Sequence, residues 1–152
     1  MSKIDELISE LCPEGVAVSK LDDLGSLYSG LSGKSKSDFS DGNAPFVSYL
    51  DIGNFSSLPA VIKSRVKVSA EERQNTIQIG DLLFTGSSED RSGVGLTSEV
   101  EYAPSSKTYL NSFCFGFRPD ADLFAKGYLK HLFRSREVRI SVIACSNGVT
   151  RI

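Results

Sequence analysis

Few residues in this chain have the type and spacing that chemistry demands, and each such group falls short at one position. Gly30-Leu31-Ser32-Gly33-Lys34-Ser35 carries the lysine and hydroxyl of a loop that cradles nucleotide phosphates. That pattern needs four residues between its glycines. Here there are two, and Tyr28 stands where the first glycine belongs. His131 is the only histidine, and Cys12, Cys114 and Cys145 lie far apart, so no zinc ligand set is spelled out. Pro119-Asp120 followed by Arg136-Glu137-Val138-Arg139 echoes a nuclease metal site, but its last position is arginine where lysine is needed. Asp120 reads better as a helix start. A Gly-x-Ser-x-Gly elbow, His-Glu-x-x-His, the Asn-Pro-Pro-aromatic motif of adenine methyltransferases and a glycine-rich cofactor turn after a strand do not occur. The chain reads as non-catalytic, with no metal and no cofactor.

The elements that would position other functions follow from periodicity. Ile4, Leu7, Ile8 and Leu11 share one helical face, and Ser2 with Asp5 has capping-box spacing, so residues 2–11 are predicted helical up to Pro13. Residues 20–28 lead through a turn or short helix into a strand. Residues 29–43 are rich in glycine and serine and read as a long open loop. Strand content returns over 45–52, with Val47 and Tyr49 alternating against Ser48 and Leu50. Ser69 to Glu72 has capping-box spacing and predicts one helical turn. Ile77 and Ile79 alternate before a Gly80-Asp81 turn and a buried strand Leu82-Leu83-Phe84.

A second polar loop spans 85–95. Phe113, Phe115 and Phe117 fall on one face of a strand predicted over 109–117, which Pro119 ends. Asp120 or Asp122 then caps a helix through Arg136, whose Lys126, Lys130 and Arg134 recur every four residues as a basic ridge. Residues 138–145 fit helix or strand, and Ser146-Asn147-Gly148 is a turn. This order predicts a single α+β domain over 1–152, with a curved, mostly antiparallel sheet, short helices and long polar loops.

Composition narrows the function classes. The chain has 152 residues, 40% hydrophobic and 24% charged, ordinary values for a globular domain. No apolar run approaches the roughly 20 residues of a membrane span, and the polar, acidic start does not suit a signal peptide. Three widely spaced cysteines suit reduced thiols in a cytoplasm. The net charge of −2 argues against sequence-blind nucleic-acid binding, which depends on neutralising phosphates. The charge is unevenly placed: residues 1–25 carry two lysines against six carboxylates, and residues 126–152 carry six lysines and arginines against one glutamate.

Several stretches carry a family likeness. Gly80-Asp81-Leu82-Leu83-Phe84-Thr85-Gly86-Ser87-Ser88-Glu89 with Gly93-Val94-Gly95 resembles a segment of the specificity subunits of type I restriction-modification systems. Tyr109 to Pro119 is similar to the same family's next segment. So are Ile4 to Gly15, Tyr28 to Lys34 and Ser146 to Ile152. In that family one subunit carries two target recognition domains, separated by long helices that pair as a coiled coil, and each domain reads half of a split DNA site. The resemblance implies that this chain is the first such domain alone. No heptad run is present, so the spacer is expected to be absent. The implied partners are double-stranded DNA, a modification (methyltransferase) subunit and a restriction (motor-nuclease) subunit.

Within that expectation the residues take roles. Base edges are read by side chains on loops that can enter a groove: Ser32, Lys34, Ser35 and Lys36 on the first loop, Thr85, Ser87, Ser88, Glu89 and Arg91 on the second. Arg91 suits guanine, and Glu89 can accept from cytosine. Lys126, Lys130, Arg134, Arg136, Arg139 and Arg151 would meet phosphates. The competing reading is a module that binds a protein or sugar ligand through its glycine- and serine-rich loops.

Overall fold

The computed structural model describes residues 2–15, 17–121 and 123–148. Helix α1 (Lys3–Leu11) starts where its capping box predicts. Asp5 N–H donates to the Ser2 hydroxyl, and the Asp5 carboxylate accepts from Ser2 N–H at 2.8 Å. Its apolar stripe finds no cover, since Ile4, Leu7, Ile8 and Leu11 are all exposed.

The strands form two small sheets. β1 (Gly25–Ser29), β4 (Leu82–Thr85), β5 (Thr97–Glu99) and β7 (Cys114–Pro119) make an antiparallel sheet in the order β1-β7-β4-β5. β2 (Ala44–Val47), β3 (Arg65–Val66) and β6 (Tyr109–Leu110) make the other, in the order β3-β2-β6, with β2 and β6 parallel. Helices α2 (Tyr49–Asn54), α3 (Tyr128–Arg134) and α4 (Arg136–Cys145) complete the fold. The class is α+β, as the order of elements predicts.

Alternation along the strands sorts the apolar side chains into three clusters. Leu82, Phe84 and Phe117 pack with Leu129 of α3. Leu83 and Cys114, on the opposite face, meet Val47 and Leu110 of the second sheet and Ile52 of α2. Phe46, Val66 and Tyr109, on the far face of that sheet, pack with Leu31 and the half-buried Phe39. Both of these last residues belong to the first loop. The loop predicted to be open is therefore folded down on two apolar anchors, of which the buried Leu31 contributes on the order of 1.5–3 kcal/mol and the half-buried Phe39 a part of its full value.

Four further expectations are corrected. Residues 45–52 are not one strand, because Ser48 and Asp51 form a capping box that turns the chain into α2. Residues 109–117 break at the 112–113 turn, where the Asn111 side chain accepts the Phe113 N–H at 2.9 Å, so Phe113 lies outside β7 and is exposed. The helix predicted from Asp120 starts at Tyr128, because Asp120 N–H still pairs with the Leu24 carbonyl beyond the sheet. Asp122 lies outside the described residues. That helix also divides at Ser135, whose extended backbone and hydroxyl open α4 over the ambiguous residues 138–145. Ser69 to Glu72 makes a turn and no helix.

Asp81 is fully buried and holds the first sheet to the segment before it. Its carboxylate takes Arg118 Nε at 2.9 Å and Nη2 at 2.7 Å, the Tyr28 hydroxyl at 2.6 Å and Gln78 N–H at 2.8 Å. Burial, and then the Asp81 charge, push the Tyr28 hydroxyl's pKa up, so the phenol stays a donor. Asp81→Ala strands the Arg118 guanidinium and is expected to cost about 3–5 kcal/mol in urea unfolding. The lower end applies, since the Arg118 side chain is 34% exposed. A loss under about 1 kcal/mol would show that the pair contributes little to the fold.

Candidate nucleic-acid interface

The two polar loops leave the sheets beside one turn. Gly30 N–H bonds the Cys114 carbonyl at 3.0 Å, and Leu31 N–H bonds the Leu110 carbonyl at 2.8 Å. Gly86 N–H bonds the Phe113 carbonyl at 2.8 Å. The roots of both loops thus flank Asn111-Ser112-Phe113. The approach is close enough to require glycine at position 30, where a Cβ would collide with the Asn111 carbonyl. Phe113 is 57% exposed between them.

The first loop presents less than its sequence promised. Lys34 donates to the Lys67 carbonyl at 2.7 Å and pairs with Glu72, leaving only 5% of its side chain exposed. It is a strut inside the domain and has no ammonium to offer a base. Ser35 caps a short 3-10 turn at Lys36–Phe39, bonding Asp38 and Ser37 through its exposed hydroxyl. Ser32 and Lys36 are exposed.

The second loop is folded and braced. Thr85 is fully buried, with its hydroxyl donating to the Gly93 carbonyl at 2.7 Å and accepting from Leu96 N–H at 2.8 Å. It cannot reach a base. Ser88 is buried and accepts from Asp90 N–H, while Ser87 is half-buried. Glu89 and Arg91 are exposed at the tip. Tyr49 of α2 donates to the Gly93 carbonyl at 3.1 Å, so the loop is held from that side too.

The basic ridge is the largest correction. Lys126 precedes α3, and its ammonium lies 4.7 Å from the centre of the Tyr102 ring. Lys130 Nζ bonds Ser57 Oγ at 2.7 Å and Glu101 at 3.0 Å. Arg134 donates to the carbonyls of Thr97, Ile52, Gly53 and Phe55, three of them at or just past the C-terminus of α2. Arg139 binds the carbonyls of Val94 and Ser92 in the second loop at 2.8 and 2.9 Å. Arg134 and Arg139 point into the fold because it presents backbone carbonyls to them, at the end of α2, on β5 and in the second loop. Burial, and for Arg134 also the charge of Arg139, hold both guanidinium pKa values below their usual range. Of the six, Lys126 and Arg136 remain exposed, and Arg151 lies outside the described residues.

The sequence reading missed another set of cations. Lys63, Arg65 and Lys67 are exposed, while Val66 and Val68 between and beyond them are buried. The signal was present as alternation at period two in KSRVKV. No group of three or more His, Cys, Asp or Glu among the described residues is placed to hold a metal ion. None of the three cysteines is paired. No helix among the described residues is long and apolar enough to cross a membrane.

No family model and no curated protein matches the sequence. Solved structures do. The likeness spans nearly the whole chain. A chain from a structure on complex assembly and conformational transition of the type I R-M system is 19% identical with a TM-score of 0.49, over 99% of this chain and 40% of that one. The HsdS subunit from Thermoanaerobacter tengcongensis is 15% identical with a TM-score of 0.48, over 93% of this chain and 40% of that one. The chain therefore spans about 40% of the length of the solved chains it matches.

The strut beneath the first loop has a pH signature. The hydrogen bond from Lys34, followed by those from Ser69 N–H and Gln74, lowers the Glu72 carboxyl to about 2 from 4.5. A carboxylate depressed in the folded state supports folding above its unfolded pKa and loses that support as pH falls through the folded one. The pair should hold from neutral pH to below pH 4 and open near pH 2. A carboxyl carbon NMR titration of Glu72 with a midpoint near 4.5 would mean that the strut does not form in solution.

Proposed function

We propose that this chain is a DNA recognition module, reading one half of a split duplex site as the specificity component of a type I restriction-modification assembly. The observation that carries this reading is the shared origin of the two polar loops, whose roots meet at the 111–113 turn. Groups able to donate and accept, carried on braced loops with a common base, suit a groove floor, where each base pair offers its own donor and acceptor pattern. The family likeness of segments 80–95 and 109–119, quoted above, supports the same reading.

The roles narrow to side chains that the fold leaves accessible. Arg91 can give two parallel hydrogen bonds to guanine, and Glu89 can accept from cytosine. Ser32 and Lys36 on the first loop and the half-buried Ser87 on the second supply further adaptable donors and acceptors. Ser35 keeps an exposed hydroxyl that also serves the cap, and Arg136 and Lys126, the exposed members of the C-terminal set, would meet phosphates. Modification and restriction subunits would carry the chemistry, with this domain choosing where they act. Binding by the isolated chain is expected to be weak, because few cations are available for phosphates.

Selection of duplexes from a random pool with the 152-residue chain at low salt should enrich a motif of a few base pairs. Arg91→Ala should relax one position of that motif by roughly tenfold, within the range of about 1–3 kcal/mol per bidentate contact. A flat pool from the wild-type chain overturns the reading.

A further inference from the structure

The segment from Lys63 to Val68 is extended, with its inward half buried and its outward half cationic. Val66 and Val68 fill the cluster beneath the second sheet. Lys63, Arg65 and Lys67 alternate with them on the exposed side, about 6.7 Å from one to the next along an extended chain. More cations enter from distant segments. Lys36 comes from the first loop, whose Asp38 carbonyl takes the Lys67 N–H at 2.7 Å. Arg65 and Lys107 border one cavity of about 410 Å³, and Lys107 and Arg73 border its neighbour of about 370 Å³, with Glu72 and Tyr109 shared by both.

None of these six side chains takes a hydrogen bond or ion pair among the described residues. The carboxylates around them are fewer. Glu72 is bound by Lys34 and Asp38 by Ser35, while Asp41 and Glu71 are exposed. The region is positive in a chain whose total charge is −2.

Lysines on an edge strand often serve only to block pairing with another chain. That duty is already met here. The outward N–H and carbonyl of Lys67 are occupied by the Asp38 carbonyl and the Lys34 ammonium, so the loop covers this end of the edge. Arg73 and Lys107 do not lie on that strand at all. A row of unbonded cations beside a loop carrying Ser32 and Lys36 fits a regular polyanion.

We infer that Lys63, Arg65, Lys67, Lys36, Arg73 and Lys107 form a track for the sugar-phosphate backbone of duplex DNA. This rests on the reading that the loops contact bases. The track fixes register and adds affinity without regard to sequence, the part first expected of the C-terminal ridge.

The test compares Arg65→Ala/Lys67→Ala with Lys3→Ala/Lys20→Ala, which removes the same charge elsewhere. Duplex affinity is read by fluorescence anisotropy across a salt series, and melting by circular dichroism confirms that both variants fold. The track variant should lose affinity about equally for all duplexes, lower the magnitude of the log–log salt slope by about 2, and keep the wild-type motif in selection. The control should match the wild type. Equal losses in both variants, or wild-type binding by the track variant, overturn the track while leaving the base-reading loops standing. A track variant that loses polyglutamate binding but keeps duplex binding assigns the surface to an acidic protein and also overturns it. Failure of the wild-type chain to bind any duplex, even at low salt, overturns the loop reading and the track together.

Discussion

A guanidinium offers five N–H donors and accepts nothing, and two arginines in this chain use that geometry to complete other elements. Arg134 gathers carbonyls from β5 and from the end of α2, tying three elements through one side chain. Arg139 does the same for the second loop. A buried carbonyl left without a donor costs as much as a lost hydrogen bond, so these arginines are held inward by what the backbone would otherwise lack. The Glu99 carboxylate completes the arrangement from the sheet, accepting Gly127 N–H at 2.7 Å and Lys130 N–H at 3.0 Å at the start of α3. Loop, helix and sheet are fixed to one another by charge-assisted bonds to backbone, with little left to surface ion pairs.

That division sorts the chain's cations into two populations. Lys34, Arg118, Lys130, Arg134 and Arg139 are bonded within the domain. Arg91, Arg136 and the residues around β3 face outward. With so low a net charge, affinity for a polyanion depends on where the second population sits, and counting basic residues by segment does not show which of them the fold leaves accessible. The density of positive charge in residues 126–152 is real, but Lys130, Arg134 and Arg139 are taken up by a carboxylate, a hydroxyl and backbone carbonyls of the domain itself.

Local rules were legible wherever a side chain and its partner are close in sequence. The Ser2–Asp5 box set the start of α1, and the unbroken apolar run Leu82-Leu83-Phe84 set β4, whose residues are buried on both faces. Ser48 and Asp51 have the same box, and the alternation of Val47 and Tyr49 hid it, so α2 was read as strand. Leu31 and Phe39 were lost among serines and glycines, although their burial is what folds the first loop down. The two polar loops were readable as composition, but the convergence of their roots on the 111–113 turn was not.

The sequence by itself determined the α+β class, the first helix, the presence of two polar loops and the absence of familiar catalytic motifs. Those features depend on periodicity and on neighbours a few residues apart. Tertiary structure alone decided which lysines and arginines are accessible, because their partners are carbonyls and carboxylates tens of residues away: Ile52 for Arg134, Ser92 for Arg139, Glu72 for Lys34. A charge is visible in a sequence, but the direction in which it points is set by unmet hydrogen bonds that exist only once the chain has folded.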